Sequence, residues 1–415
     1  MAKLSLLVLA LAAVAAMLGG TGPGASDAVT PSAGWTMHRL GAIERPAAIN
    51  GRGQVVGWSL RGSGFRVLRW HNGRLRVLPN LENSSWLPTP DHLLSRPAPG
   101  ADVLNERGEV VGTSNQQGSR PVMWDATGAI RNLGTLGAEN STVVGINERG
   151  EVIGLSSTGK TDPSGFSISR AFLWKNGRIR DLGALGRHES AQVGVEAIND
   201  RGQVVGESET DSYTSGESGY RSYDSHGYLW QNGVMRDIGG ISPIAINNRG
   251  QILAERFAER THAVLWQSGR ARPLGAWRPI AINARGQVIG SRSAPNSNCI
   301  SRAVLWENGR LRQLNGLPGH RRSQALGIND RGQIVGVSYN RCIGPILPIE
   351  IEGSRPFIWQ RGRTHALPIP PRTEATVVAI NNRGEVLGYA EGPGFSGAVL
   401  WTPAAAWTTS PGTRW

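Results

Sequence analysis

The chain has 415 residues, a formal charge of +13 carried almost wholly by arginine (lysine stands only at 3, 160 and 175) and two cysteines. Two cysteines exclude a disulfide-dense small scaffold, and no stretch after residue 28 has the run of about 20 apolar residues that a membrane-spanning helix needs. The arginines are spread along the whole chain, so the charge points to solubility before it points to a polyanionic partner.

In chain order, Met1, Ala2 and Lys3 lead into an apolar run from Leu4 to Leu18 and a small-residue stretch from Gly19 to Ala28. That order is the pattern of a secretory signal, with Ser26-Asp27-Ala28 as its cleavage site. The expected organisation is a signal peptide over 1–28, a single repeat domain over 29–401 and a C-terminal tail over 402–415. The mature protein is expected to be secreted or otherwise extracytoplasmic, and a monomer.

The domain is one phrase said eight times. Ala48-Ile49-Asn50-Gly51-Arg52-Gly53-Gln54-Val55-Val56-Gly57 is its first copy, and the others centre on Asn105, Asn147, Asn199, Asn247, Asn283, Asn329 and Asn381. Each copy is followed by an apolar run ending in tryptophan, at 70, 124, 174, 230, 266, 306, 359 and 401. The asparagine spacing runs from 36 residues (247 to 283) to 55 (50 to 105), which brackets the length of a propeller blade. Each unit reads as four short strands, taken here as a (Arg178 to Leu182), b (Val195 to Asn199), c (Gln203 to Gly206) and d (as Ala171 to Trp174). They are rich in Val, Ile, Leu and aromatics, bounded by Gly, Asn and Asp, and no segment after residue 28 has helical periodicity. The fold expected is all-β, an eight-bladed β-propeller of four-stranded blades.

The turns sort the loops by face. In Asn199-Asp200-Arg201-Gly202 the Asn side chain bonds the backbone two residues on and Gly202 takes a left-handed conformation, making b and c a tight hairpin. Strands d and a form another, through turns such as Asn72-Gly73 and Asn308-Gly309. The b–c and d–a turns therefore share one face of the disc, and the a–b and c–d connections, which carry every insertion, share the other. The chain begins with an orphan a strand (Met37 to Leu40) and ends with an orphan d strand (Ala398 to Trp401). Their pairing would close the ring and remove its open edges.

The phrases Arg170-Ala171-Phe172-Leu173-Trp174, Asp181-Leu182-Gly183-Ala184-Leu185-Gly186 and Ala197-Ile198-Asn199-Asp200-Arg201-Gly202-Gln203-Val204-Val205-Gly206 resemble the HAF extracellular repeat of bacteria. The resemblance covers about residues 37 to 401. It departs at repeat two, where Leu104 replaces Ile and an insertion runs from Leu81 to Asp102, and at Ala254, where the closing Gly is missing. It implies an exported repeat protein and carries over no catalytic residue.

Candidate site residues fall on the variable face. The c–d connection from Glu207 to Gly227 holds Asp211, Tyr213, Glu217, Tyr220, Tyr223, Asp224 and His226, a binding-loop composition of tyrosine among serine and glycine. It lacks the spacing of a calcium loop, so no metal is expected. Trp86, Asp91 and His92 form a second cluster in the repeat-two insertion. On the tight-turn face, Arg52, Arg107, Arg149, Arg201, Arg249, Arg285, Arg331 and Arg383 stand at one equivalent position and would form an anion-binding rim. Acids precede four of them (Glu106, Glu148, Asp200, Asp330) and weaken its field. Cys299 and Cys342 lie in the c–d connections of adjacent units, which a propeller brings side by side, and are expected to form a disulfide.

No nucleophile elbow, metalloprotease helix, phosphate loop or Cys-x-x-Cys is present, and no cofactor is expected. The leading expectation is an exported non-enzymatic binding scaffold whose partner is a polysaccharide, an envelope component or another protein. Nucleic acid is disfavoured for want of recognition elements. One alternative is a glycan-active hydrolase or lyase using carboxylates such as Asp91, Asp211 or Asp224, which paired carboxylates in a central pocket would favour. The other is a purely structural surface protein.

Overall fold

The computed structural model describes residues 29–32, 34–61, 64–81, 102–115, 118–162, 165, 167–188, 190–215, 221–256, 262–293, 300–340 and 353–404. Every regular element among them is a β-strand, and the strands form eight antiparallel sheets around one axis, an eight-bladed β-propeller.

Blade three shows the plan. Ser141–Ile146 is innermost, followed outward by Val152–Thr161, Ser167–Lys175 and Arg178–Asp181. Blade four keeps the order with Ala197–Ile198, Val204–Ser215, Arg221–Gln231 and Val234–Gly239. Blade two departs where the sequence departs. Among the described residues it has three strands, Val110–Asn115, Ser119–Trp124 and Ile130–Asn132, and a single bridge between Leu104 and Val110 at the innermost position.

The ends close the ring as expected. Trp35–Arg39 pairs with Phe395–Pro403, placing Met37 opposite Trp401 and Arg39 opposite Val399. Val29–Ser32 adds a fifth strand outside it.

The repeated asparagine does more than turn the chain. Oδ1 of Asn199 accepts the amide N–H groups of Arg201 and Gln203, and its carbonyl accepts that of Gly202, which has φ of +73°. Its Nδ2 donates to the carbonyl oxygen of Asn247, the same residue of the next blade. The bond recurs all the way round, from Asn50 to Asn105, Asn147, Asn199, Asn247, Asn283, Asn329, Asn381 and back to Asn50, at 2.8 to 3.2 Å. All eight asparagines are buried, so every satisfied amide avoids the cost of a buried polar group left bare.

Apolar clusters fill the gaps between blades. One joins Leu173 and Ile153 of blade three to Val204 and Trp230 of blade four. Another joins Leu400 and Leu387 of blade eight to Val55 and Leu68 of blade one. The repeated tryptophans belong to this packing, with Trp124 and Trp401 fully buried. Arginines from the preceding blade lie over three of them, Arg131 on Trp174, Arg180 on Trp230 and Arg272 on Trp306. The glycine that ends the repeat phrase marks a close approach, since a Cβ on Gly154 would stand 2.1 Å from the Thr142 carbonyl oxygen.

Within the stretch from Glu207 to Gly227, residues 207–215 and 221–227 extend the second and third strands of blade four as a pair. Tyr213 pairs with Tyr223, Thr214 with Ser222 and Ser215 with Arg221. Its tyrosines, serines and threonines are strand formers, which is why it pairs instead of looping.

Candidate functional site

The chemistry-bearing groups concentrate on blade four. The connection entering it docks along this strand pair: the Gly186 amide donates to the Glu209 carbonyl oxygen, the Glu209 amide to the Gln192 carbonyl oxygen, and the Gln192 amide to Oε2 of Glu209. This places the His188 ring flat on the Tyr223 ring, with centroids 3.8 Å apart and planes 11° from parallel. Nε2 of His188 lies 3.2 Å from the Thr210 carbonyl oxygen and 3.9 Å from Glu209, and Nδ1 lies 3.1 Å from the Ser190 hydroxyl. A carbonyl oxygen only accepts, so the ring proton is assigned to Nε2. Asp211 accepts the Arg187 amide at 2.6 Å and lies 3.8 Å from its guanidinium.

Deeper in the same blade stand two carboxyls. Glu196 immediately precedes the innermost strand Ala197–Ile198, and its amide donates to Val205. Counting back three residues from the repeat asparagine, the other blades carry Ala47, Asp102, Val144, Ile244, Ile280, Leu326 and Val378. Glu196 thus replaces an aliphatic packing residue. Glu207 lies two residues beyond Val205, so both sit on one face of their strand, and Val205 packs into the cluster shared with blade five. Burial and the Glu207 charge push the Glu196 carboxyl up to about 7. The phenol of buried Tyr228 donates to the Gly194 carbonyl oxygen at 2.8 Å, and its pKa is raised by burial and by Glu196. A carboxyl that keeps its proton near neutrality beside a second carboxylate has the properties of a general acid with its base.

Asp102, at the equivalent position of blade two, joins a different set. Although its side chain is exposed, desolvation by the surrounding protein and the charges of Asp200 and Glu106 raise it to about 6. Exposed Glu148 rises to about 7 through desolvation by the surrounding protein, with the charges of Glu106, Asp200 and Asp102 adding to it. Glu106 and Glu148 also bond across the turns, Glu148 accepting the Glu106 amide and Asp200 the Glu148 amide. Among the described residues no three His, Cys, Asp or Glu side chains are grouped to hold a metal ion.

The structure unites only part of the residues singled out in the sequence. Tyr223 stacks on His188, and Asp211 bonds the preceding residue, Arg187. Asp224 is exposed on the neighbouring position of the strand. His226 bonds Asp237 of the outermost strand at 2.8 Å. Tyr213 takes its place in the strand pair. Trp86, Asp91, His92, Glu217, Tyr220, Cys299 and Cys342 lie outside the described residues. In the arginine rim, Arg107, Arg149 and Arg383 pair within their own turns with Glu109, Glu151 and Glu385. Arg249 donates to the Arg285 carbonyl oxygen.

Sequence reading missed His188, Glu196 and Glu207. Aligning the eight copies at the asparagine exposes Glu196, as an acid where six copies carry an aliphatic side chain. His188 carries no such signal, because its partner Tyr223 is brought to it only by the docking of the connection.

No family model and no curated protein sequence matches the chain. Solved structures with similar folds include the β-propeller domain of the Trilobed protease from Pyrococcus furiosus, at 10% identity over 79% of this chain and 97% of that one, with a TM-score of 0.47. They include an oligogalacturonate lyase from Vibrio parahaemolyticus, at 10% identity over 92% of this chain and 100% of that one, also with a TM-score of 0.47. A puromycin-hydrolyzing peptidase of Mycobacterium tuberculosis matches at 13% identity and a TM-score of 0.46, over 84% of this chain and 58% of that one, so the chain spans little more than half of that peptidase. The expectation of a non-enzymatic binding scaffold is corrected here. Those solved propellers come from peptidases and a lyase. The absence of local enzyme motifs from this chain is no ground for setting catalysis aside, because propeller sites are assembled from separate strands and connections.

Proposed function

We propose that the protein is a glycan-active hydrolase or lyase whose reacting groups lie on blade four. The observation that carries this reading is the Glu196–Glu207 pair, in which an acid occupies an aliphatic position of the repeat and holds its proton near pH 7. Such a pair supplies the proton donor and the base that glycosidic cleavage requires, by hydrolysis or by elimination. Arg187, held by Asp211, and the Tyr223 ring, held by His188, supply a cation and an aromatic face on the same blade. The loop carboxylate Asp211 then acts by positioning Arg187.

The export signal, the HAF-type repeat assignment and a Cys299–Cys342 disulfide are part of the same proposal, supported by the sequence patterns described above. An exported glycan-active protein meets its substrate outside the cytoplasm, where such a disulfide persists.

The test is incubation of the purified mature protein with a panel of neutral and anionic polysaccharides, followed by mass analysis of the products. Products heavier by one water mark a hydrolase, and products with a new unsaturated end mark a lyase. Binding without product from every glycan overturns the proposal.

A further inference from the structure

A cavity of about 400 Å³ opens on the tight-turn face between blades two and three, at the opposite end of the strands from the variable connections. Its lining includes Arg107, Arg131, Arg149, Lys175, Glu109 and Glu151. Four cations therefore face two carboxylates. Arg107 pairs with Glu109 at 2.6 Å, and Arg149 and Lys175 share Glu151, each at 2.7 Å. Glu151 also accepts from Asn147, and its ion and hydrogen-bond partners hold it ionised, below the usual carboxylate range despite burial. Arg131 lies over the Trp174 ring, 5.9 Å from its centroid, and makes no ion pair among the described residues.

The repeat identifies what is particular to this place. Arginine-on-tryptophan contacts recur between other blades and hold them together. The residue after the strand-d tryptophan does not recur as a cation: it is His71, Asp125, Gln231, Gln267, Glu307, Gln360 and Thr402 in the other blades, and lysine only at 175. Lys175 thus adds a positive charge to the one gap where Arg107 and Arg149 already converge. The side chains of Arg107, Arg149 and Lys175 remain about half exposed, so their donors reach an incoming ligand.

We infer that this cavity is a binding site for a small anionic sugar, one or two rings bearing carboxylate or sulfate groups. The volume falls in the range of small-ligand pockets. Guanidinium groups match the planar or tetrahedral oxygens of such anions. The site stands apart from blade four and does not depend on the protein being an enzyme.

The test is calorimetric titration of the intact mature protein with a sulfated uronate disaccharide, its uncharged disaccharide counterpart and a short single-stranded DNA. The sulfated disaccharide is expected to bind, and the uncharged one not. Lys175→Gln, which installs the residue blades four, five and seven use at this position, is expected to weaken binding about tenfold. Arg107→Gln is expected to do the same, and Arg331→Gln, at the equivalent place between distant blades, to leave it unchanged. Equal losses in all three variants would reveal only the diffuse charge of the rim and overturn the site. Equal binding of the uncharged sugar, tighter binding of the DNA, or no binding of the sulfated sugar would overturn the assignment as well. A glycan panel without products would bear on blade four and leave these outcomes unaffected.

Discussion

The side-chain amide of Asn381 donates to the carbonyl oxygen of Asn50 at 2.8 Å, joining residues 331 apart in the chain. The same side chain bonds Glu385 through Nδ2 and accepts the Arg383 and Glu385 amides at Oδ1. Replacing Asn381 by Ala leaves a buried carbonyl and two amides without partners, at an expected cost of about 2–4 kcal/mol. Asn381→Asp keeps the acceptor and loses the donor, placing a charge beside Glu385, so its cost should be no smaller. Urea denaturation of the two variants checks this, and a change within error for Asn381→Ala would show that the ring of asparagines does not hold the blades together.

Closure makes a second demand. Trp35–Arg39 supplies the fourth strand of blade eight, against Phe395–Pro403, and both Trp35 and Met37 are buried in that blade's core. A chain beginning after Arg39 should expose the edge of Phe395–Pro403 and the apolar surface that Met37 covers. It is expected to aggregate on mild heating, measured by light scattering beside the full chain. Equal resistance to aggregation would mean that closure by this strand is dispensable.

Stability should fall as pH rises from about 5 to 8. Asp102, Glu148 and Glu196 are all raised in the folded state, to about 6, 7 and 7, from ordinary values of 3.8, 4.5 and 4.5. The folded protein therefore binds more protons than the unfolded chain over that window. The stabilisation from these groups is complete below their unfolded values and is lost as pH passes through the raised ones. Glu196→Gln should remove its share of the slope, about 1–2 kcal/mol after discounting for solvent screening. Melting temperatures across the window test it, and a slope unchanged in Glu196→Gln would contradict the raised carboxyl.

Much of this architecture was legible in the sequence because the repeat states it eight times. The asparagine-to-glycine phrase encodes a hairpin whose atoms are local, and so the b–c and d–a turns, the sorting of faces and the complementary ends all followed from short-range chemistry. The ring of Asn side chains was not legible, since each bond crosses to another blade. The pairing of Tyr213 with Tyr223 was not legible, because the glycines and serines among them hide the strand formers. His188 is the extreme case: its stacking on Tyr223 depends on a connection docking along a strand pair, and neither residue announces the other along the chain.

The two cysteines lead to a prediction resting on blade order. In the sequence Cys299 falls between the second and third strands of blade six and Cys342 between those of blade seven, and a bridge between them would enclose about 40 residues and add roughly 3–4 kcal/mol by loop closure. The mature protein purified from an oxidising compartment should show no free thiol by mass labelling, and reduction should lower its melting temperature. Two reactive thiols in the native protein would refute the pairing.

The pairing of Glu196 with Glu207 makes the sharpest demand on the proposed chemistry. If Glu196 donates the proton, Glu196→Gln should reduce kcat by about a hundredfold or more with little change in KM. It should also remove the limb of the pH–rate profile near 7, the value to which burial and Glu207 raise the carboxyl. Glu207→Gln takes away the neighbouring charge, so any remaining activity should show that limb displaced toward lower pH. Tyr223→Phe keeps the ring that stacks on His188 and should leave kcat within a few-fold if the phenol serves only as an aromatic face. A Glu196→Gln variant with full kcat and an unaltered pH profile would remove the acid from the mechanism, and a Tyr223→Phe variant as impaired as Glu196→Gln would move the proton transfer to the phenol.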